Sequence, residues 1–136
     1  MTQMHHHTLP SKDGTAILSY YTIGTGPGLI ILHGANCTAS THSELATLLS
    51  SSYTVHLLER RGRGDSGTFP LVMPEFRGDG SGRGIYAKEF CGEVMRIERE
   101  DVEVLIKETG ARFCIGVSIG AVILLDAMLE KVCTPG

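Results

Sequence analysis

The stretch from Arg112 to Met128, RFCIGVSIGAVILLDAM, sets Ser118 two residues from a glycine on either side. A short apolar strand runs into the serine and an apolar helix runs out of it. Such a G-x-S-x-G turn lifts a serine Oγ above a sheet end, where it can attack an acyl carbon. Gly116 and Gly120 lack a Cβ, so strand and helix can approach closely. The amide of Ile119 opens the helix and can point at a developing oxyanion. The same string also fits a tight strand-to-helix turn with a structural serine. A second candidate pair, His33-Gly34, follows directly on the apolar run Leu29 to Leu32.

The elements that would hold these residues are legible from pattern. DGTAILSYYTIGTGPG, residues 13–28, has an alternating core bounded by turn residues and predicts one or two short antiparallel strands. GLIILHG, 28–34, is continuously apolar, as a strand buried on both faces requires. SELATLLS, 43–50, has helical spacing, and YTVHLLE, 53–59, is again strand-like. The glycine-rich segment 60–84 predicts a long irregular loop. Residues 86–108 predict a helix with Phe90, Val94, Ile97 and Leu105 in one stripe and Glu/Arg pairs opposite. Gly110 marks its stop. A strand over 112–117 and a helix over 119–131 complete the chain. Alternating strands and helices of this kind predict an α/β fold with a mostly parallel sheet flanked by helices.

Here the sequence resembles the α/β-hydrolase superfamily, of the serine type. GPGLIILHGAN resembles that family's strand and HG loop. LLERRGRGDSG resembles its D-x-R-G-x-G-x-S signature, with Glu59 where the family usually carries Asp. DVEVLIKETGARFCIGVSIGA resembles the helix, strand and nucleophile turn that follow. The order of these signatures matches the family's N-terminal half over nearly the whole chain. The resemblance implies that Ser118 attacks an ester or related acyl bond in a small molecule. It also implies that the amides of Ala35 and Ile119 hold the oxyanion and that His33 braces the loop backbone. His42 and His56 read as structural or solvated. A serine argues against the branches with an aspartate nucleophile, such as epoxide hydrolases.

The triad of this family runs Ser, then Asp or Glu, then His along the chain. No histidine follows Ser118 among the 18 residues after it. Asp126 and Glu130 lie on the outgoing helix, and Asp126 is about 12 Å along its axis from the serine. The acid, the base, the later strands and any lid are therefore expected to be missing from this sequence. Three readings remain: a serine hydrolase whose triad is incomplete here, an inactive fragment that acts by association, or an incomplete gene product whose natural reading frame continues past Gly136. The strand over 112–117 would expose an apolar edge, which predicts a homo-oligomer through that edge.

Bulk properties exclude other classes. The 136 residues form one partial domain, 1–136, in which 1–12 are expected to be disordered and His5 to His7 a solvated tract. Twelve basic and fifteen acidic residues give a net charge of -3, which predicts neither a nucleic-acid partner nor an anionic membrane. No apolar run approaches the ~20 residues of a spanning helix. The N-terminus shows no secretory pattern, so GRGDS (62–66) reads as part of the loop rather than an integrin ligand. Four cysteines without metal-ligand spacing predict no metal site, no cofactor and a reducing, cytoplasmic setting.

Overall fold

The computed structural model describes residues 4–35, 37–62, 66–67, 77–78, 84–85 and 88–129. In chain order the elements begin with β1 (His5–Pro10), β2 (Ile17–Ile23) and β3 (Gly28–Leu32). A 3-10 turn (Ala39–His42), α1 (Ser43–Leu49) and β4 (Thr54–Glu59) follow. Then come β5 (Arg77–Gly78), β6 (Gly84–Ile85), α2 (Lys88–Thr109), β7 (Phe113–Gly116) and α3 (Ile119–Leu129). β5 and β6 pair as a two-residue ribbon. The remainder of the predicted 60–84 loop lies largely outside the described residues, as do Glu130 and the end of the predicted final helix.

Five strands form one sheet in the order β1-β2-β4-β3-β7. β3 lies parallel to both β4 and β7, as the crossovers through α1 and α2 require. β2 runs antiparallel to β4 and to β1, so the sheet is mixed. Its antiparallel half is larger than the sequence pattern predicts, because the histidine tract is itself a strand. Disorder was expected over 1–12, yet residues 5–10 pair along β2 from His5↔Thr22 to Pro10↔Ile17. Leu9 anchors the strand in the core. The rings of His6 and His7 stack on Tyr21 and Tyr20 at 4.9 and 5.0 Å. Alternate side chains thus find partners on both faces, although most of the strand stays exposed.

Leu29, Ile30, Ile31 and Leu32 of β3 are all buried, because helices cover the sheet on both sides. One layer joins Leu18, Tyr20, Ile30, Leu32 and Leu58 to Val102 and Leu105 of α2 and Ile123 and Leu124 of α3. The other joins Ile23, Leu29, Ile31, Val55 and Leu57 to Ala39 and Ala46. At ~25 cal/mol per Å² of apolar area removed from water, these two layers supply the main stabilisation of the fold. α2 ends as the sequence predicts: Gly110 adopts φ 67° and its amide donates to Ile106 O at 2.8 Å.

Candidate active site

Ser118 stands at the junction of β7 and α3, at the end of the sheet where β3 also finishes. Its φ is 56°, the left-handed region, and no other described residue except glycine has a positive φ. Holding an L-residue there costs about 1–2 kcal/mol, so the surrounding packing must impose it. Backbone hydrogen bonds on both sides of the serine do so. The amide of Val117 donates to Leu32 O at 3.1 Å, which fixes the turn against β3. Gly120 and Ala121 then start the helix by donating to the carbonyls of Val117 and Ser118, both at 3.0 Å.

The flanking glycines are where the chain has no room. A Cβ on Gly116 would stand 2.4 Å from Ala121 Cα, and one on Gly120 would stand 2.3 Å from Leu32 O. Strand, turn and helix can only be this tight without those carbons. The consequence is that Ser118 is pushed outward and is exposed. As the first residue of α3, Ile119 has no intrahelical acceptor for its amide. Its N–H is one of the orphan donors that make a helix start attractive to negative charge.

The HG loop meets the serine directly. A Cβ on Gly34 would lie 3.1 Å from Ser118 Cβ and 3.8 Å from Ser118 Oγ, so Gly34 forms one wall beside the hydroxyl. Ala35, next in the chain, sits in an exposed turn. His33, 1% exposed, has both ring nitrogens committed. The amide of Arg60 donates to Nε2 at 3.0 Å, so Nε2 is the acceptor and the proton sits on Nδ1. Nδ1–H in turn donates to Gly34 O at 2.9 Å. The imidazole is a brace for the loop backbone and has no lone pair left to take a proton from Ser118.

Beneath the loop lie two arginine–carboxylate pairs that the sequence pattern does not anticipate. The Arg60 guanidinium donates to His33 O at 3.1 Å and to Glu98 through Nε and Nη2 at 3.1 and 2.7 Å. Arg61, fully buried, donates to Asp101 through Nε at 3.0 Å and Nη2 at 2.7 Å, and to Thr15 Oγ1 at 2.9 Å. Burial pushes the Asp101 carboxyl up to about 6, against the opposing pull of Arg61. Asp13, at 3.7 Å from Arg61, is held well below the usual carboxylate range, first by the Thr15 hydroxyl. The predicted α2 stripe of Val94, Ile97 and Leu105 thus carries Glu98 and Asp101 on the same buried side. Spacings of four and seven residues from Val94 were the available signal.

The signature loop after β4 has a structural explanation too. Ser66 Oγ donates to Glu59 O at 2.6 Å and accepts the amide of Ser19 at 2.9 Å, which ties the loop to β2 and β4. The Glu59 carboxylate accepts the amide of Ala39 and so fixes the 3-10 turn that follows the HG loop. Asp126 is engaged elsewhere, with Arg99 at 2.9 Å, and Glu130 lies outside the described residues. His56 is buried in β4, bonded to Thr22 Oγ1 at 2.9 Å, and burial, with His7 nearby, lowers its pKa. Among the described residues no group of three metal-ligating side chains is found, and no helix is long and apolar enough to cross a membrane.

The fold is shared with solved proteins. An α/β hydrolase from Sphaerobacter thermophilus superimposes with a TM-score of 0.70 at 30% identity, covering 91% of this chain and 40% of its own. An epoxide hydrolase from Vigna radiata gives 0.71 at 18% identity, covering 94% and 36%. One from an endophytic Streptomyces gives 0.70 at 17% identity, covering 94% and 34%. No protein-family model matches the sequence, and no curated protein matches it significantly. The chain has the α/β-hydrolase fold and corresponds to the N-terminal portion of these neighbours. It spans between about a third and two fifths of the length of these neighbours.

Proposed function

We propose that this chain carries the nucleophile half of a serine hydrolase acting on an ester or related acyl bond in a small molecule. The observation that carries the reading is Ser118 itself: exposed, at φ 56°, on a strand-to-helix turn with Gly34 against its side chain. Ser118 Oγ attacks the acyl carbon, the amides of Ala35 and Ile119 hold the oxyanion, and His33 and Arg60 keep the loop in place. A serine hydroxyl needs an adjacent base to be a good nucleophile. No histidine follows Ser118 in the sequence, and His33 is fully bonded, so the acid and base come from outside the residues present here. The likeness to epoxide hydrolases is a likeness of fold, and a serine at this turn supports acyl transfer instead.

The experiment is labelling with a fluorophosphonate probe, read by intact mass, with Ser118→Ala beside the parent chain. The expected result is no adduct on the chain alone and a single Ser118 adduct when imidazole is added as a diffusible base. An adduct on Ser118→Ala of equal yield would overturn the assignment.

A second reading is that the chain is catalytically inactive and acts by self-association, and one feature favours it. β7 is the last strand of the described sheet and pairs on one side only. Phe113 on it is 47% exposed, and Val122, Leu125, Met128 and Leu129 of α3 are exposed as well. Size-exclusion chromatography with light scattering separates the two, since a monodisperse dimer supports association through this edge.

A further inference from the structure

A cavity of about 330 Å³ lies on the α1 side of the sheet, lined by Met4, His6, Tyr21, Ser40, Leu57 and Glu59. None of the described residues that line it belongs to the HG loop or to the Ser118 turn. Its volume is at the lower end of those that hold small organic ligands. The chemistry of its wall is unusual in one respect. Glu59 is 5% exposed, and its carboxylate accepts a single hydrogen bond among the described residues, from the Ala39 amide to Oε1. A carboxylate has room for about four such bonds. No ion pair to Glu59 is found among the described residues, and the next two side chains, Arg60 and Arg61, turn to Glu98 and Asp101. A carboxylate this deeply buried is costly unless a positive charge joins it.

The rest of the wall says what kind of positive charge. The rings of His6 and Tyr21, stacked at 4.9 Å with 26° between planes, both border it. Aromatic faces favour ammonium groups. Met4 and Leu57 add an apolar side suited to a short alkyl chain, and the Ser40 hydroxyl lies at the rim, bonded to Thr38 Oγ1 at 2.8 Å. A divalent metal ion fits less well. His6 Nε2 is already bonded to Ser19 Oγ at 2.5 Å, which leaves Glu59 as the single available charged ligand among the described lining residues.

We propose that this cavity binds a small primary ammonium compound with a short alkyl chain, its head group paired with Glu59 and its chain between Tyr21, Met4 and Leu57. The test is NMR titration of the full chain with butylammonium, with butyrate and butanol as probes of equal length and different charge. Butylammonium is expected to saturate and to shift signals of Met4, Tyr21 and Leu57, with butyrate and butanol at least tenfold weaker. Glu59→Gln, which keeps an acceptor for the Ala39 amide, is expected to weaken butylammonium at least tenfold. Met4→Trp fills the cavity without touching the carboxylate and is expected to abolish binding, so it decides the matter if Glu59→Gln does not fold. Equal affinity for butyrate or butanol, undiminished binding to folded Glu59→Gln or to Met4→Trp, or no shifts at the lining residues would each overturn the proposal.

Discussion

Arg60 holds His33 at two points: its amide donates to the imidazole Nε2 at 3.0 Å, and its guanidinium donates to the His33 carbonyl at 3.1 Å. The same guanidinium is clamped by Glu98, so a residue on α2 fixes the loop that forms one wall of the Ser118 site. Removing one partner of a buried pair leaves an uncompensated charge, which costs about 3–5 kcal/mol. Glu98→Ala is therefore expected to lose about that much in urea unfolding. A loss below about 1 kcal/mol would show that the loop is held without α2.

The left-handed serine makes a prediction of its own. Glycine relieves the strain at φ 56° but loosens the unfolded chain, so Ser118→Gly is expected to gain about 0.5–1 kcal/mol. Ser118→Val, β-branched, is expected to lose more than about 1 kcal/mol. Urea midpoints of the two variants beside the parent measure this, and the order Gly above Ser above Val is the signature.

Two glycine-to-alanine changes should move stability in opposite directions. Gly120→Ala drives a methyl into Leu32 O, a backbone atom that cannot turn aside, and is expected to cost about 1–3 kcal/mol. Gly92 lies within α2, and a methyl there meets nothing within 4 Å. Gly92→Ala is expected to gain about 0.5–1 kcal/mol from helix propensity. Thermal or urea unfolding of both variants is the check.

His56 titrates below its ordinary value of 6.5 because burial disfavours the cation and His7 adds to the effect. The unfolded chain therefore binds the proton first as pH falls, and stability is lost below about 6.5. Asp101, raised to about 6, has the opposite sign: its contribution favours the folded state at low pH and fades as pH rises through 6. Subtraction isolates His56. The stability of the parent minus that of His56→Gln is expected to increase between pH 5 and pH 7, and a flat difference would contradict the burial argument.

Much of the fold around Ser118 could be read from the sequence, for reasons that differ by residue. Gly116, Ser118 and Gly120 were legible because backbone proximity forbids a Cβ at two fixed positions, and a composition rule of that kind survives in a string. The apolar run Leu29 to Leu32 named the central strand because helices cover both of its faces. β1 was illegible: its three histidines are exposed, as a solvated tract would be, and it is pairing with β2 and the rings of Tyr20 and Tyr21 that make it a strand. Glu98 and Asp101 read as surface charges because a helix stripe is recognised by apolar residues, and their partners, Arg60 and Arg61, are about forty positions away. Long-range pairing of charges leaves no periodic trace in one sequence.

If Ser118 is a preformed nucleophile lacking only its base, a diffusible base should restore its reactivity. The direct measurement is the rate of fluorophosphonate labelling of the folded chain, read by intact mass, as imidazole concentration is raised. No adduct is expected at zero imidazole, then a single adduct whose rate rises in proportion to imidazole, and none on Ser118→Ala at any concentration. A folded chain that stays unlabelled at Ser118 throughout would contradict this assignment.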